Sequence, residues 1–119
     1  MAAIVIAFIQ TLSLDRREFI NIIKALHNRP AKSSIAQQAV SLLRSVFHTE
    51  KHLVYHTQEE KAAERRKRIR LLLDSFYDYI SQVQRPLGKL KNAIQNALAL
   101  KSRVYRIFEN GQVPLTNNP

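Results

Sequence analysis

Apolar residues recur every three or four positions through most of this chain, and prolines fall between those stretches. The 119 residues include only two Gly and four Pro, and Pro30 and Pro86 separate the periodic stretches. A period near 3.6 residues is that of an amphipathic α-helix. The sequence therefore predicts an all-α protein, a helical bundle of about four helices with an extended C-terminal tail.

Capping residues predict where the first two helices begin and end. Asp15 is a candidate N-cap for a first helix, which must end before Pro30. Ser33 and Ser34 can cap a second helix whose apolar face continues to about His56. The first helix is therefore short, and the second is longer and amphipathic.

The third and fourth helices follow from a capping box and from a Gly. Thr57 with Glu60 three positions later has the capping-box spacing, so the third helix begins there and ends before Pro86. A fourth helix is predicted over residues 87–108, with Gly111 as a natural C-terminal stop. The predicted buried stripe of the third helix is Ala62, Ile69, Leu72, Leu73, Phe76, Ile80 and Val83.

The chain length suits one domain. We divide it into an apolar segment (1–15), a helical domain (16–111) and an extended tail (112–119). Periodicity leaves open whether the apolar segment is helix or strand. Its apolar part, Ala2 to Leu12, is too short to span a bilayer and lacks a signal-peptide pattern, so we expect buried structure and no membrane partner.

The charge of the chain is strongly positive. Nineteen Lys and Arg against nine Asp and Glu give a formal net charge of +10. Such a charge favours polyanions through counterion release, and DNA is the leading partner. The absence of Cys excludes disulfides and thiolate sites and is compatible with the cytoplasmic location that we expect.

One basic cluster lies near the start of the third helix. Segments of this kind often contact phosphates. The alternative is a solvated face on which Glu64 pairs with Arg68, and Arg70 with Asp74, at i,i+4 spacing. The candidate nucleic-acid contacts in this cluster are Arg65, Arg66, Lys67, Arg68 and Arg70.

A second basic cluster lies on the fourth helix. From Arg85 to Arg106 there are six basic residues and no acidic one. Arg85, Lys89, Arg103 and Arg106 fall opposite the apolar stripe of a continuous helix, which predicts a phosphate-facing surface. An ordinary soluble face is the alternative, and charge alone specifies no base preference.

Two other constellations were weighed for metal chemistry. His48, His52 and His56 are spaced so that neighbours could share a metal ion, but an exposed, unliganded row is favoured because catalytic zinc needs three well-placed ligands. Asp74 and Asp78 could hold magnesium, but solubility and ion pairing are favoured. We therefore predict no catalytic residue, no metal site, no cofactor and no small-molecule substrate.

Several motifs together resemble one known family. Residues 87–89 read LGK, residues 108–118 read FENGQVPLTNN, and residues 16–19 read RREF. They resemble the insertion-sequence sixty-six transposase family, in which a similar segment leads into the catalytic glutamate. Residues 57–80 are also similar, and the likeness extends over about residues 16–118.

The resemblance implies metal-dependent strand cleavage and transfer by two aspartates and one glutamate. None of these maps onto this chain: Asp15 does not match, and the glutamate would follow Pro119. Thr11, Leu12 and Leu14 stand where the family has a Cys, an aromatic residue and a His. The expectation is a truncated transposase fragment, the helical insert of the catalytic region, which contacts DNA or neighbouring subunits and is inactive alone.

Two functions of other classes remain as alternatives. One is a stand-alone basic helical protein that binds nucleic acid for its own purpose. The other is a helix-mediated interaction or dimerisation module, in which the apolar segment pairs with another chain. Homo-oligomerisation is left open.

Overall fold

The computed structural model of the chain describes residues 2–29, 33–86 and 88–108, with the backbone alone for residues 2–6. These ranges are helical and contain no strand, which confirms the all-α prediction. The predicted stop at Gly111 and the predicted tail over 112–119 lie outside the described residues. In chain order the elements are α1 (Ala2–Ala25), α2 (Ser34–Lys51), α3 (Gln58–Glu64), a π-helical turn (Arg65–Ile69), α4 (Arg70–Ser81), α5 (Gly88–Ala99), α6 (Lys101–Tyr105) and a 3₁₀ turn (Arg106–Phe108).

Helix α1 is much longer than predicted, because the apolar segment and the first predicted helix are one helix. Phe8, Leu12, Phe19 and Ile22 are buried at helical spacing along one side. Asp15 lies in the middle of that buried stripe, so its prediction as an N-cap is wrong. Burial of a continuous apolar face outweighs the cap preference of a single residue.

Helix α2 ends earlier than predicted, at Lys51 rather than about His56. The N–H of His52 closes the helix by donating to the carbonyls of His48 and Thr49. The chain then leaves the helix, and Val54 is 78% exposed. The next helix requires this break, because its N-cap needs an extended backbone.

That N-cap is Thr57, as the sequence predicted. The Glu60 N–H donates to Thr57 Oγ1 over 3.1 Å, and the Glu60 carboxylate accepts from the His56 N–H over 3.2 Å. Helix α3, the π-helical turn and α4 then run without interruption and end before Pro86. From the predicted stripe, Leu72 and Val83 are half-buried, and the buried residues are Ala62, Ile69, Leu73, Phe76 and Ile80.

The predicted fourth helix is divided at Leu100. This residue has φ −98° and ψ 4°, and its N–H donates to the carbonyls of Asn96 and Ala97. Helix α5 therefore ends at Ala99 and α6 begins at Lys101. At the start of α5, Gly88 has φ +58°, a left-handed conformation in which any side chain would be strained although there is space for one.

Four helical rods pack in a ring: α1 against α2, α2 against α4, α4 against α5, and α5 with α6 back against α1. Phe19 of α1 and Phe76 of α4 meet edge-to-face across the centre, with ring centroids 6.2 Å apart. The count of about four helices therefore describes the bundle, although two of its rods are subdivided. Among the described helices none is both long and apolar enough to cross a membrane.

Asp15 is a carboxyl group inside this core. It is 1% exposed, and within the described part of the chain neither its Oδ2 nor the buried Tyr77 hydroxyl has a hydrogen-bond partner. Burial, and secondarily the charge of Glu18, raises the pKa of Asp15 to about 7. Burial and Asp15 likewise raise the pKa of Tyr77, so its hydroxyl stays protonated.

We predict that Asp15 makes the protein less stable as the pH rises from about 4 to about 7. Over that window the folded state holds a proton that the unfolded state has lost, so the free energy of unfolding falls by up to about 4 kcal/mol. Asp15→Asn should remove this component, as measured by urea unfolding at several pH values. The exposed Asp78→Asn is the control, and coincident Asp15→Asn and wild-type profiles would contradict the prediction.

Candidate nucleic-acid interface

The basic residues of α5, α6 and their flanks all lie on the surface. The apolar sides of both helices pack on α1, with Ala93, Ile94, Ala97 and Val104 buried. No acidic side chain interrupts the stretch between Arg85 and Arg106. We define the α5–α6 basic surface as its six exposed cationic side chains: Arg85, Lys89, Lys91, Lys101, Arg103 and Arg106.

These cations lie on two helices and their flanks rather than on the one continuous helix that the sequence predicted. The prediction assumed one continuous helix, and the break at Leu100 removes the fixed phase between the two ends. Arg85 and Lys89 lie at the α4–α5 connection, whereas Arg103 and Arg106 lie at the opposite end. The surface therefore has a pair of basic residues at each end.

Arg85 and Lys89 meet at a cavity of about 620 Å³. Arg85 has φ 52°, a left-handed conformation that costs a non-glycine residue on the order of 1 kcal/mol. The walls of the cavity are mainly apolar and include Ile22, Leu26 and Leu90. Two cations therefore lie beside an apolar hollow at this end of the surface.

At the other end, cations surround an aromatic side chain. The Lys101 ammonium lies 5.5 Å from the ring centroid of Tyr105, and the Arg70 guanidinium lies 5.9 Å from the same centroid. Such cation–π contacts orient the long basic side chains. The fold thus brings Arg70, from the third predicted helix, next to α6.

Tyr105 is anchored by Asp74. Its hydroxyl donates a hydrogen bond to Asp74 Oδ1. Burial and this hydrogen bond raise the pKa of Tyr105, against the opposing effect of Arg70, so the hydroxyl remains a donor. Asp74 therefore bonds to Tyr105 instead of forming the predicted pair with Arg70, because the fold places α6 beside α4.

Arg65 does not fit the predicted role of phosphate contact. Its side chain is 1% exposed, and its guanidinium makes a bidentate pair with the Glu50 carboxylate. The spacing provides the physical reason, because Arg65 lies three residues after Ala62 and four before Ile69, and both intervals keep a residue on one face of a helix. Arg65 therefore lies on the inner face of the helix, between the buried Ala62 and Ile69.

The rest of this basic run remains closer to the surface. Arg66 is half-buried, and Lys67 and Arg70 are exposed. Arg68 is paired with Glu64 at 2.7 Å, which is the i,i+4 pair that the sequence suggested. This pairing reduces the positive charge that Arg68 offers to a ligand.

Within residues 2–29, 33–86 and 88–108, side chains that could bind a metal ion do not form groups of three or more. No three His, Asp or Glu side chains there are arranged to hold one ion. His48 and His52 are exposed at the end of α2, and His56 lies in the connection that follows. The three histidines therefore do not form one helical row.

The predicted contacts omit three members of the candidate interface: Lys91, Lys101 and Tyr105. Lys91 and Lys101 belong to the six basic residues of the stretch but not to the predicted contacts, and Tyr105 follows Lys101 on α6. The spacing of four residues between Lys101 and Tyr105 would have indicated contact on one helix. Arg70 lies beside them because α4 and α6 are neighbours in the fold, and the local sequence does not indicate that proximity.

Comparison with known proteins identifies one family. A family model described as "Transposase IS66 family" matches residues 15–119. No match was found among curated proteins or among solved structures.

We predict that Arg65 contributes to stability through Glu50. Glu50→Gln should lower the free energy of unfolding by about 3 kcal/mol, because it leaves a buried guanidinium without a countercharge. The exposed pair supplies a matched control, since Glu64→Gln should change stability by no more than about 0.5 kcal/mol. Equal effects of the two variants in urea unfolding would contradict the buried role of Arg65.

Proposed function

Because the chain belongs to the IS66 transposase family, we propose that it is the helical insert of the transposase catalytic region. It contacts DNA through the α5–α6 basic surface and does not catalyse strand transfer alone. Its place of action is the cytoplasm, where the DNA substrate is.

The observation that carries this proposal is the arrangement of charge on α5 and α6. All six cationic side chains of the stretch are exposed, whereas the apolar side chains of the same helices are buried against α1. Several exposed cations, in a stretch of sequence that contains no acidic residue, suit the closely spaced phosphates of a duplex. Such cations would contact the phosphate backbone of DNA and would not distinguish one base from another.

Arg70 extends the surface toward α4. It lies beside Tyr105, on the same side of the bundle as α6. Asp74 lies next to it, but its carboxylate is engaged by the Tyr105 hydroxyl. Lys67 and Arg66 are secondary candidates, and Arg68 contributes less because Glu64 balances its charge.

The acidic residues described here do not fit the divalent ions that the family's chemistry is implied to use. Asp15 is buried beside Tyr77, Glu50 is paired with Arg65, and Asp74 is bonded to Tyr105. Oxygen-ligated ions need several carboxylates that converge on one point. This dispersion supports the proposal that the chain has no catalytic activity by itself.

We predict that DNA binding depends on the α5–α6 basic surface. Replacing Arg85, Lys89, Arg103 and Arg106 by Gln should weaken binding to a labelled duplex at least about tenfold. It should also reduce the slope of log Kd against log salt by about 0.9 for each lost phosphate contact. Fluorescence anisotropy over a salt series measures both.

The control removes the same charge from another part of the surface. A variant with four exposed cations of α1, α2 and their connection replaced by Gln should bind nearly as the wild type does. Equal losses in both variants would show binding by net charge alone. No binding by the wild type, with a mass that rises with concentration, would favour an interaction module. The control positions are Lys24, Arg29, Arg44 and Lys51.

We also predict that the purified chain neither nicks nor joins DNA. Supercoiled plasmid with Mg²⁺ or Mn²⁺ should remain intact, because no set of three carboxylates among the described residues converges on one point to hold an ion. Any activity should be compared with that of Asp74→Asn and Asp78→Asn. Activity that is lost in these variants would overturn the proposal. Activity that both variants retain would come from other acidic residues or from a contaminant, and the remaining carboxylates would then be tested in the same way.

A further inference from the structure

Two imidazoles lie side by side at the C-terminal end of α2. His48 and His52 are one helical turn apart and both exposed, and their ring centroids are 4.4 Å apart with an interplanar angle of 33°. Two nitrogens bound to one ion, each at about 2.1 Å, are separated by about 3 Å. Rings at this separation can bring a nitrogen from each into that range.

One ring makes a hydrogen bond that selects the tautomer which a metal ligand needs. His52 Nδ1 lies 2.9 Å from the His48 carbonyl oxygen, and since a carbonyl can only accept, Nδ1 carries the proton. The lone pair of the neutral ring is then on Nε2. Metal-binding histidines commonly donate their second N–H to a carbonyl in this way, which also fixes the ring orientation.

We propose that His48 and His52 form a two-imidazole site for a late first-row divalent cation such as Ni²⁺, Cu²⁺ or Zn²⁺. Imidazole suits these ions, whereas Mg²⁺ and Ca²⁺ prefer oxygen ligands. With two protein ligands, the remaining coordination positions are open to water. The site is therefore separate in ligand chemistry from the carboxylate site that the family's reaction is implied to use.

The surroundings of the pair admit a hydrated ion. His48 and His52 line a cavity of about 240 Å³ together with Thr49, Leu53, Val54 and Arg68. Arg68 would repel a cation, but its guanidinium is paired with Glu64 at 2.7 Å. The C-terminus of α2, with its partial negative charge, lies at the same place and favours a cation.

The chain offers a matched comparison at His27. Its Nδ1 lies 3.1 Å from the Lys24 carbonyl oxygen, so His27 has the same kind of tautomer-fixing bond at the end of α1. Position 23, one turn before it, is Ile rather than His. His27 is therefore an exposed single imidazole with the bond but without the pair.

The test is calorimetric titration of the full, tag-free chain with NiCl₂. The chain has no Cys, so no thiolate competes. One Ni²⁺ should bind, and His48→Gln or His52→Gln should weaken binding at least about tenfold through loss of the chelate. His48→Gln keeps the His52 bond to the backbone carbonyl, which separates loss of a ligand from loss of helix structure. MgCl₂ should give no binding at this pair.

His27→Gln and His56→Gln should bind Ni²⁺ as the wild type does. Saturating Ni²⁺ should also raise the Tm of the wild type and not that of His48→Gln, because the pair exists only in the folded helix. The proposal is overturned if the His48→Gln/His52→Gln double variant binds Ni²⁺ as tightly as the wild type. It is equally overturned if wild-type binding is no tighter than that of the single variants.

Discussion

Burial of one side of α1 constrains every other part of this bundle. Phe8, Leu12, Phe19 and Ile22 form a stripe that α2, α5, α6 and the 3₁₀ turn together cover. Each such side chain contributes about 1.5–3 kcal/mol when buried. Because α5 and α6 pack their apolar sides against this stripe, their polar sides face outward. The exposure of the basic side chains thus follows from the position of α1.

The same core contains two ionisable side chains, Arg65 and Asp15, whose burial is compensated in different ways. Arg65 is accompanied by Glu50, whose carboxylate engages two of its nitrogens. Asp15 has no countercharge among the described residues, and its pKa, raised to about 7 by burial, keeps it protonated and uncharged below neutral pH. A guanidinium cannot release its proton near neutral pH, so a buried Arg requires a countercharge where an Asp does not.

The all-α class and most of the core could be predicted from the sequence, because both depend on the spacing of apolar residues, which is the same however the helices pack. The Thr57 cap and the end before Pro86 were likewise local and correct. Three features were not predictable: the helical form of the apolar segment, the π-helical turn and the break at Leu100. None of the three is marked by an unambiguous local pattern, since a short apolar run fits a helix or a strand and neither Arg65–Ile69 nor the break at Leu100 contains a Gly or Pro. The proximity of Arg70 to Tyr105 is likewise not marked in the local sequence.

Burial and ion pairing also distinguish the two basic clusters as candidates for a DNA surface. In composition, the run from Arg65 to Arg70 is the denser one, with five cations in six residues. The fold removes Arg65 from the surface and pairs Arg68 with Glu64, which leaves fewer unbalanced cations than the sequence suggests. The stretch from Arg85 to Arg106 loses none of its six to burial. Position in the fold, and not density in the sequence, therefore favours α5 and α6.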